Sequence, residues 1–192
     1  MTIRRAPLSL LVAILFVPAS AYAQSQSIGV TRSIVPDQPF AIFYPETMVP
    51  SGGAGAPLLL NHPDAPLQCS MDVVAVEDTS WTADGALAAL DDAAVAASWA
   101  DDFPGFAVAS KGTTAYQSGP ALIYDGQSSN SPMGVPLTIV HTETVDAGLG
   151  YVLDCFFATD AAAQARPIVD FIIANFSTRN DAECCTAEAT TP

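Results

Sequence analysis

Positive charge is what this chain has least of. It carries six lysines and arginines against 20 aspartates and glutamates, a formal net charge of −14. Such a chain repels phosphate backbones and anionic lipid headgroups, which argues against a nucleic-acid ligand and against electrostatic membrane binding. Histidine is almost missing, with only His62 and His141. There is no C-x-x-C pair matched by a second, so the spacing of a structural zinc site is lacking. The sequence also has no G-x-S-x-G elbow, no G-x-G-x-x-G, no P-loop and no EF-hand loop. These absences leave no cofactor to predict, and no catalytic or metal site is assigned. No apolar run reaches the roughly 20 residues that a spanning helix needs.

What is present starts at the N-terminus. Arg4 and Arg5 precede an apolar run from Leu8 to Val17, then Pro18 and Ser20, then Ala21-Tyr22-Ala23. A basic start, an apolar stretch of about ten residues and an A-x-A site make a cleavable secretory signal peptide of residues 1–23. Its loss would remove two arginines and no acid, leaving four cations against 20 acids and a net charge of −16. A periplasmic or secreted bacterial protein is expected. High net charge is first a solubility device, and recognition of a basic partner is the sharper alternative.

An oxidising compartment favours disulfides among Cys69, Cys155, Cys184 and Cys185. Four cysteines allow three pairings. Cys184 and Cys185 are adjacent, while Cys69 and Cys155 both lie in strand-like stretches, which favours a Cys69–Cys155 bridge. The competing pairing sends a tail cysteine to Cys69 or Cys155.

The remaining chain reads as one domain. Residues 24–37 form an N-terminal extension, residues 38–178 the folded unit, and residues 179–192 a polar tail with the vicinal cysteines. Strands are expected at 28–35, 40–44, 58–60 and 67–76, with a loop at 50–57 and a hairpin joining 58–60 to 67–76. A single Ala-rich helix is expected over 82–99, its stripe formed by Leu87, Leu90, Ala94 and Ala97. Five strands follow, at 107–111, 114–117, 121–127, 137–145 and 151–159. Short connections make them an antiparallel meander. Tyr151, Leu153, Cys155 and Phe157 alternate with Val152 and Phe156, so the last strand should be central and covered on both faces. A helix over 160–176, with Pro167 inside or opening it, presents Ile168, Val169, Ile172, Ile173 and Phe176. The fold class is α+β, an antiparallel sheet with helices packed on it.

Four local patterns carry a resemblance: Phe40-Ala41-Ile42-Phe43-Tyr44-Pro45, Gly119-Pro120-Ala121, Gly150-Tyr151-Val152-Leu153, and Ile172-Ile173-Ala174-Asn175-Phe176. In this layout the chain resembles the PsbP-like family, the fold of the photosystem II subunit PsbP and of the Ran-binding protein Mog. Glu46 follows Pro45 where family members often have tryptophan, and Asn175 stands where serine is usual. The resemblance implies a binding or assembly role, with an envelope protein as partner, rather than catalysis. It transfers no functional residue. Two alternatives come from the residues themselves: a hydrolase using His141 with a nearby serine or acid, and a redox or metal-responsive protein acting through Cys184 and Cys185.

Overall fold

The structure, a computed structural model, describes residues 28–31, 39–53, 56–132 and 134–185. The signal peptide, most of the 24–37 extension and the end of the tail lie outside the described residues.

Seven strands build the main sheet: β3 (Val49–Gly52), β4 (Leu58–Asn61), β5 (Leu67–Ala75), β6 (Ala107–Tyr116), β7 (Gly119–Ser128), β8 (Leu137–Asp146) and β9 (Leu149–Ala158). Their spatial order is β3-β4-β5-β9-β8-β7-β6, and every neighbouring pair is antiparallel. A smaller sheet of order β1-β2-β10 is formed by β1 (Ile28–Thr31), β2 (Ala41–Pro45) and β10 (Phe176–Ser177). The helices are α1 (Ala83–Ala89), α2 (Asp92–Trp99) and α3 (Ala162–Ala174), the last preceded by a 3-10 turn at Thr159–Ala161. The α+β architecture expected from the periodicity is present.

Alternation along β9 divides the molecule. Tyr151, Leu153, Cys155 and Phe157 are buried against α3 and the small sheet, in a core that also holds Ile42, Val169, Ile172 and Phe176. Strand β9 is the middle of the seven, as its two apolar faces require. Cys69 lies directly opposite Cys155 in the β5–β9 register, and the two are disulfide-bonded, fully buried, with Cα atoms 4.0 Å apart. The chain crosses Pro167 without ending α3. Ala163, whose carbonyl the proline cannot bond, is exposed, so water can satisfy it.

On the opposite face, α1 and α2 cover strands β6 and β7. Here the structure corrects the expected single helix over 82–99. Asp91 accepts hydrogen bonds from the Ala93 and Ala94 amides at 2.8 and 3.0 Å, capping a new helix and breaking the old one at Leu90. The break rotates the apolar stripe. Leu90, Val95, Ala96 and Trp99 pack inward, whereas Ala94 and Ala97 are exposed.

Three other expectations change. Residues 49–52, within and beside the expected loop, form edge strand β3, where Pro50 sits opposite Leu60 without needing a ladder donor on its outer side. Segments 107–111 and 114–117 are one strand, because Gly112 lies on an outer strand whose partner Ile123 keeps it in register. Phe176, expected to close the last helix, instead starts a two-residue strand beside Ile42.

Candidate functional site

The helix-covered face of the sheet carries a row of polar side chains in register. Ser70 on β5 pairs with Asp154 on β9, which pairs with His141 on β8, then Tyr124 on β7 and Lys111 on β6. Residues opposite one another in a sheet share a face, so the row is continuous across five strands.

At its centre His141 is buried. Its Nδ1 lies 2.7 Å from Asp154 Oδ1, and its Nε2 lies 3.5 Å from Glu143 Oε2. The imidazole stacks on the Tyr124 ring, with centroids 4.4 Å apart and planes 16° from parallel. The Trp99 indole of α2 meets the imidazole edge-on and donates its Nε1 hydrogen to the Tyr124 hydroxyl at 2.8 Å. Lys111 finishes the row by reaching Asp92 Oδ1 at 2.6 Å and the Leu90 carbonyl at 3.2 Å, tying both short helices to the edge strand.

Electrostatics follow from that arrangement. Burial alone pushes the His141 pKa down. Hydrogen bonding and charge from Asp154 and Glu143 outweigh it and raise the pKa from 6.5 to about 9. The imidazole is therefore a cation at neutral pH, held between two carboxylates. Burial pushes the Tyr124 phenol well above its ordinary value. Asp72, further along the same face, is raised first by desolvation and then by the nearby charge of Asp154.

This geometry differs from a hydrolytic triad. A general-base histidine presents one nitrogen to an orienting acid and the other to the nucleophile. In His141 both nitrogens face carboxylates, and among the described residues no serine or threonine hydroxyl hydrogen-bonds to it. The adjacent Thr142 points to the other face, where it accepts from the Tyr116 hydroxyl at 2.6 Å and bonds the Leu153 carbonyl. His62 sits in the β4–β5 turn, its Nδ1 accepting from the Asp64 amide. Among the described residues no group of three or more His, Cys, Asp or Glu side chains has metal-holding geometry. Cys184 and Cys185 lie side by side near the end of the described chain, and Cys184 is exposed.

Beyond the edge of α2 the outer face is uncovered. Phe103, stacked on Phe156 at 5.4 Å, forms one wall of a trough of about 430 Å³. Ala65, Pro66, Leu67, Pro132 and Leu137 supply the rest of its apolar lining, and Asn61, His62 and Gln68 its polar side. Sequence reasoning reached neither the row nor the trough. The row had a usable signal: a two-residue turn at Ala147–Gly148 fixes the β8–β9 register and so pairs His141 with Asp154.

No family model matches the chain, and no curated protein matches its sequence. Solved structures do. Cyanobacterial PsbP (CyanoP) from Synechocystis sp. matches with a TM-score of 0.55 at 12% identity, over 81% of this chain and 95% of that one. The Ran-binding protein Mog1p of Saccharomyces cerevisiae matches with a TM-score of 0.54 at 9% identity, over 80% of this chain and 96% of that one. The chain has a PsbP-like fold.

Proposed function

From a PsbP-like fold as premise, we propose that this protein is an exported, non-catalytic binding or assembly module of the bacterial envelope. The state of His141 carries the non-catalytic half of the reading. The side chain best suited to acid–base work is a buried cation clamped by Asp154 and Glu143, beneath Trp99. A group whose pKa is raised to about 9 is mostly protonated at neutral pH, which is the wrong form for taking a nucleophile's proton.

Export is supported by the composition of residues 1–23 and by the buried Cys69–Cys155 bridge, which suits an oxidising compartment. The binding half is supported by the uncovered part of the outer sheet face. Among the structural neighbours, Mog1p is a Ran-binding protein. Fold analogy suggests a protein partner here and does not identify it. The test is affinity capture from envelope extract with the mature protein as bait. Reproducible recovery of one specific envelope protein is expected, and recovery of none would overturn the reading. Hydrolysis of generic ester or peptide substrates that disappears in His141→Gln would overturn the non-catalytic half.

A further inference from the structure

Resting on that binding-module reading, we propose that the trough beside Phe103 and Phe156 docks a cationic segment of a partner protein, anchored by an apolar side chain. The trough is apolar at its floor and open to solvent along one side. Its volume of about 430 Å³ falls in the lower part of the range for ligand-binding pockets, about 300–1,000 Å³. That space suits one or two apolar side chains presented by a larger partner.

Charge decides what kind of partner. Every lysine and arginine among the described residues is consumed internally, Lys111 by Asp92, Arg166 by Asp125 and Asp170, and Arg179 by Asp181, as is His141 by Asp154 and Glu143. The acids beside the trough have no such match. Asp64 precedes the lining residue Ala65, and Asp101 and Asp102 precede Phe103. All three carboxylates are exposed, and none is in an ion pair with a described cation. An apolar floor beside uncompensated carboxylates complements lysine or arginine flanking an apolar residue. A second copy of the mature chain would set one net charge of −16 against another, which disfavours self-association here.

The test uses three blocked pentapeptides, Lys-Phe-Lys-Leu-Lys, Ser-Phe-Ser-Leu-Ser and Glu-Phe-Glu-Leu-Glu, titrated into the purified isotope-labelled protein and followed by amide shifts. The lysine peptide should bind at least tenfold tighter than the serine peptide. It should move the signals of Gln68, Phe103 and Phe156, and the glutamate peptide should move none. Combining the exposed substitutions Asp64→Lys and Asp102→Lys should weaken the lysine peptide about tenfold and leave the serine peptide unchanged. Equal affinity for the lysine and serine peptides would overturn the proposal, as would shifts confined to α1 and α2. Envelope capture separates the two levels. If the double variant retains a partner as well as the parent does, the docking site is wrong and the module reading stands. If neither retains one, the module reading itself fails.

Discussion

Asp154 faces His141 directly across the β8–β9 ladder, and the two side chains meet at 2.7 Å. This contact joins the centre of the sheet to the α1–α2 layer, because the same imidazole stacks on Tyr124 and touches Trp99. It also makes stability depend on pH in a defined direction. The folded pKa of about 9 lies above the ordinary 6.5. The charged imidazole therefore contributes fully below pH 6.5, and its contribution fades as pH rises through 9. The shift corresponds to about 3 kcal/mol at most. Urea midpoints measured from pH 6 to pH 9, below the range where tyrosines ionise in the unfolded chain, should fall over that window in the parent and stay nearly flat in His141→Gln. The neighbouring titratable groups are Asp154, Glu143, Asp72, Lys111 and Tyr124, and none has an ordinary pKa between 6.5 and 9. An unchanged midpoint in the parent would rule out the charged state.

Removing one partner should cost more than removing both. Asp154→Ala leaves a buried cation facing only the more distant Glu143, and such losses cost about 3–5 kcal/mol. The pair His141→Leu with Asp154→Leu replaces the charges with apolar bulk under Trp99. It should recover much of that loss in a thermal melt. A double variant less stable than Asp154→Ala would show that the ion pair itself, and not its desolvation, dominates.

The two cysteine pairs should behave differently toward reductant. Cys69 and Cys155 are fully buried, while Cys184 is exposed. Intact mass after mild reduction and alkylation should show labelling confined to the 184–185 pair. Labelling of Cys69 only after denaturation is expected. The buried bridge closes a separation of 86 residues, so losing it costs about 4.6 kcal/mol in the chain-entropy model. Stable free thiols at 184 and 185 in the native protein would instead favour the redox or metal-responsive alternative.

Gly126 explains how α2 reaches the sheet. A methyl group at this position would lie 2.0 Å from the Phe106 ring, which is itself buried beside Trp99. The ring rests on bare backbone. Gly126→Ala should destabilise by about 1–3 kcal/mol as an overpacking substitution, read as a lowered melting temperature. An unchanged melt would mean that Phe106 moves aside freely.

Period-two patterning exposed the strands and the two faces of β9, because each side chain's fate follows from its parity. Tyr151, Leu153, Cys155 and Phe157 are buried in one core for that reason. The break at Leu90 stayed hidden because alanine-rich sequence fits helix on either side of Asp91. Only the competition between that carboxylate and the helix backbone decides it. Strand β3 stayed hidden because Pro50 and the neighbouring glycines read as loop residues, and an edge strand tolerates them. The trough depends on where Phe103 lands after two short helices, which no local pattern encodes.

The β8–β9 turn offers a stabilising change. Ala147 and Gly148 adopt φ values of 50° and 79°, the left-handed pair of a type I′ turn. Glycine takes that conformation freely, while alanine is strained by roughly 1 kcal/mol. Asparagine is the preferred first residue of such turns. Ala147 is exposed, so nothing but the backbone is altered by replacing it. Ala147→Asn should therefore raise the melting temperature by about 2–4 °C. The same register places Asp154 opposite His141, so a firmer turn should leave the pH window of stability unchanged. If Ala147→Asn shifted that window, the turn and the buried ion pair would be coupled through more than register.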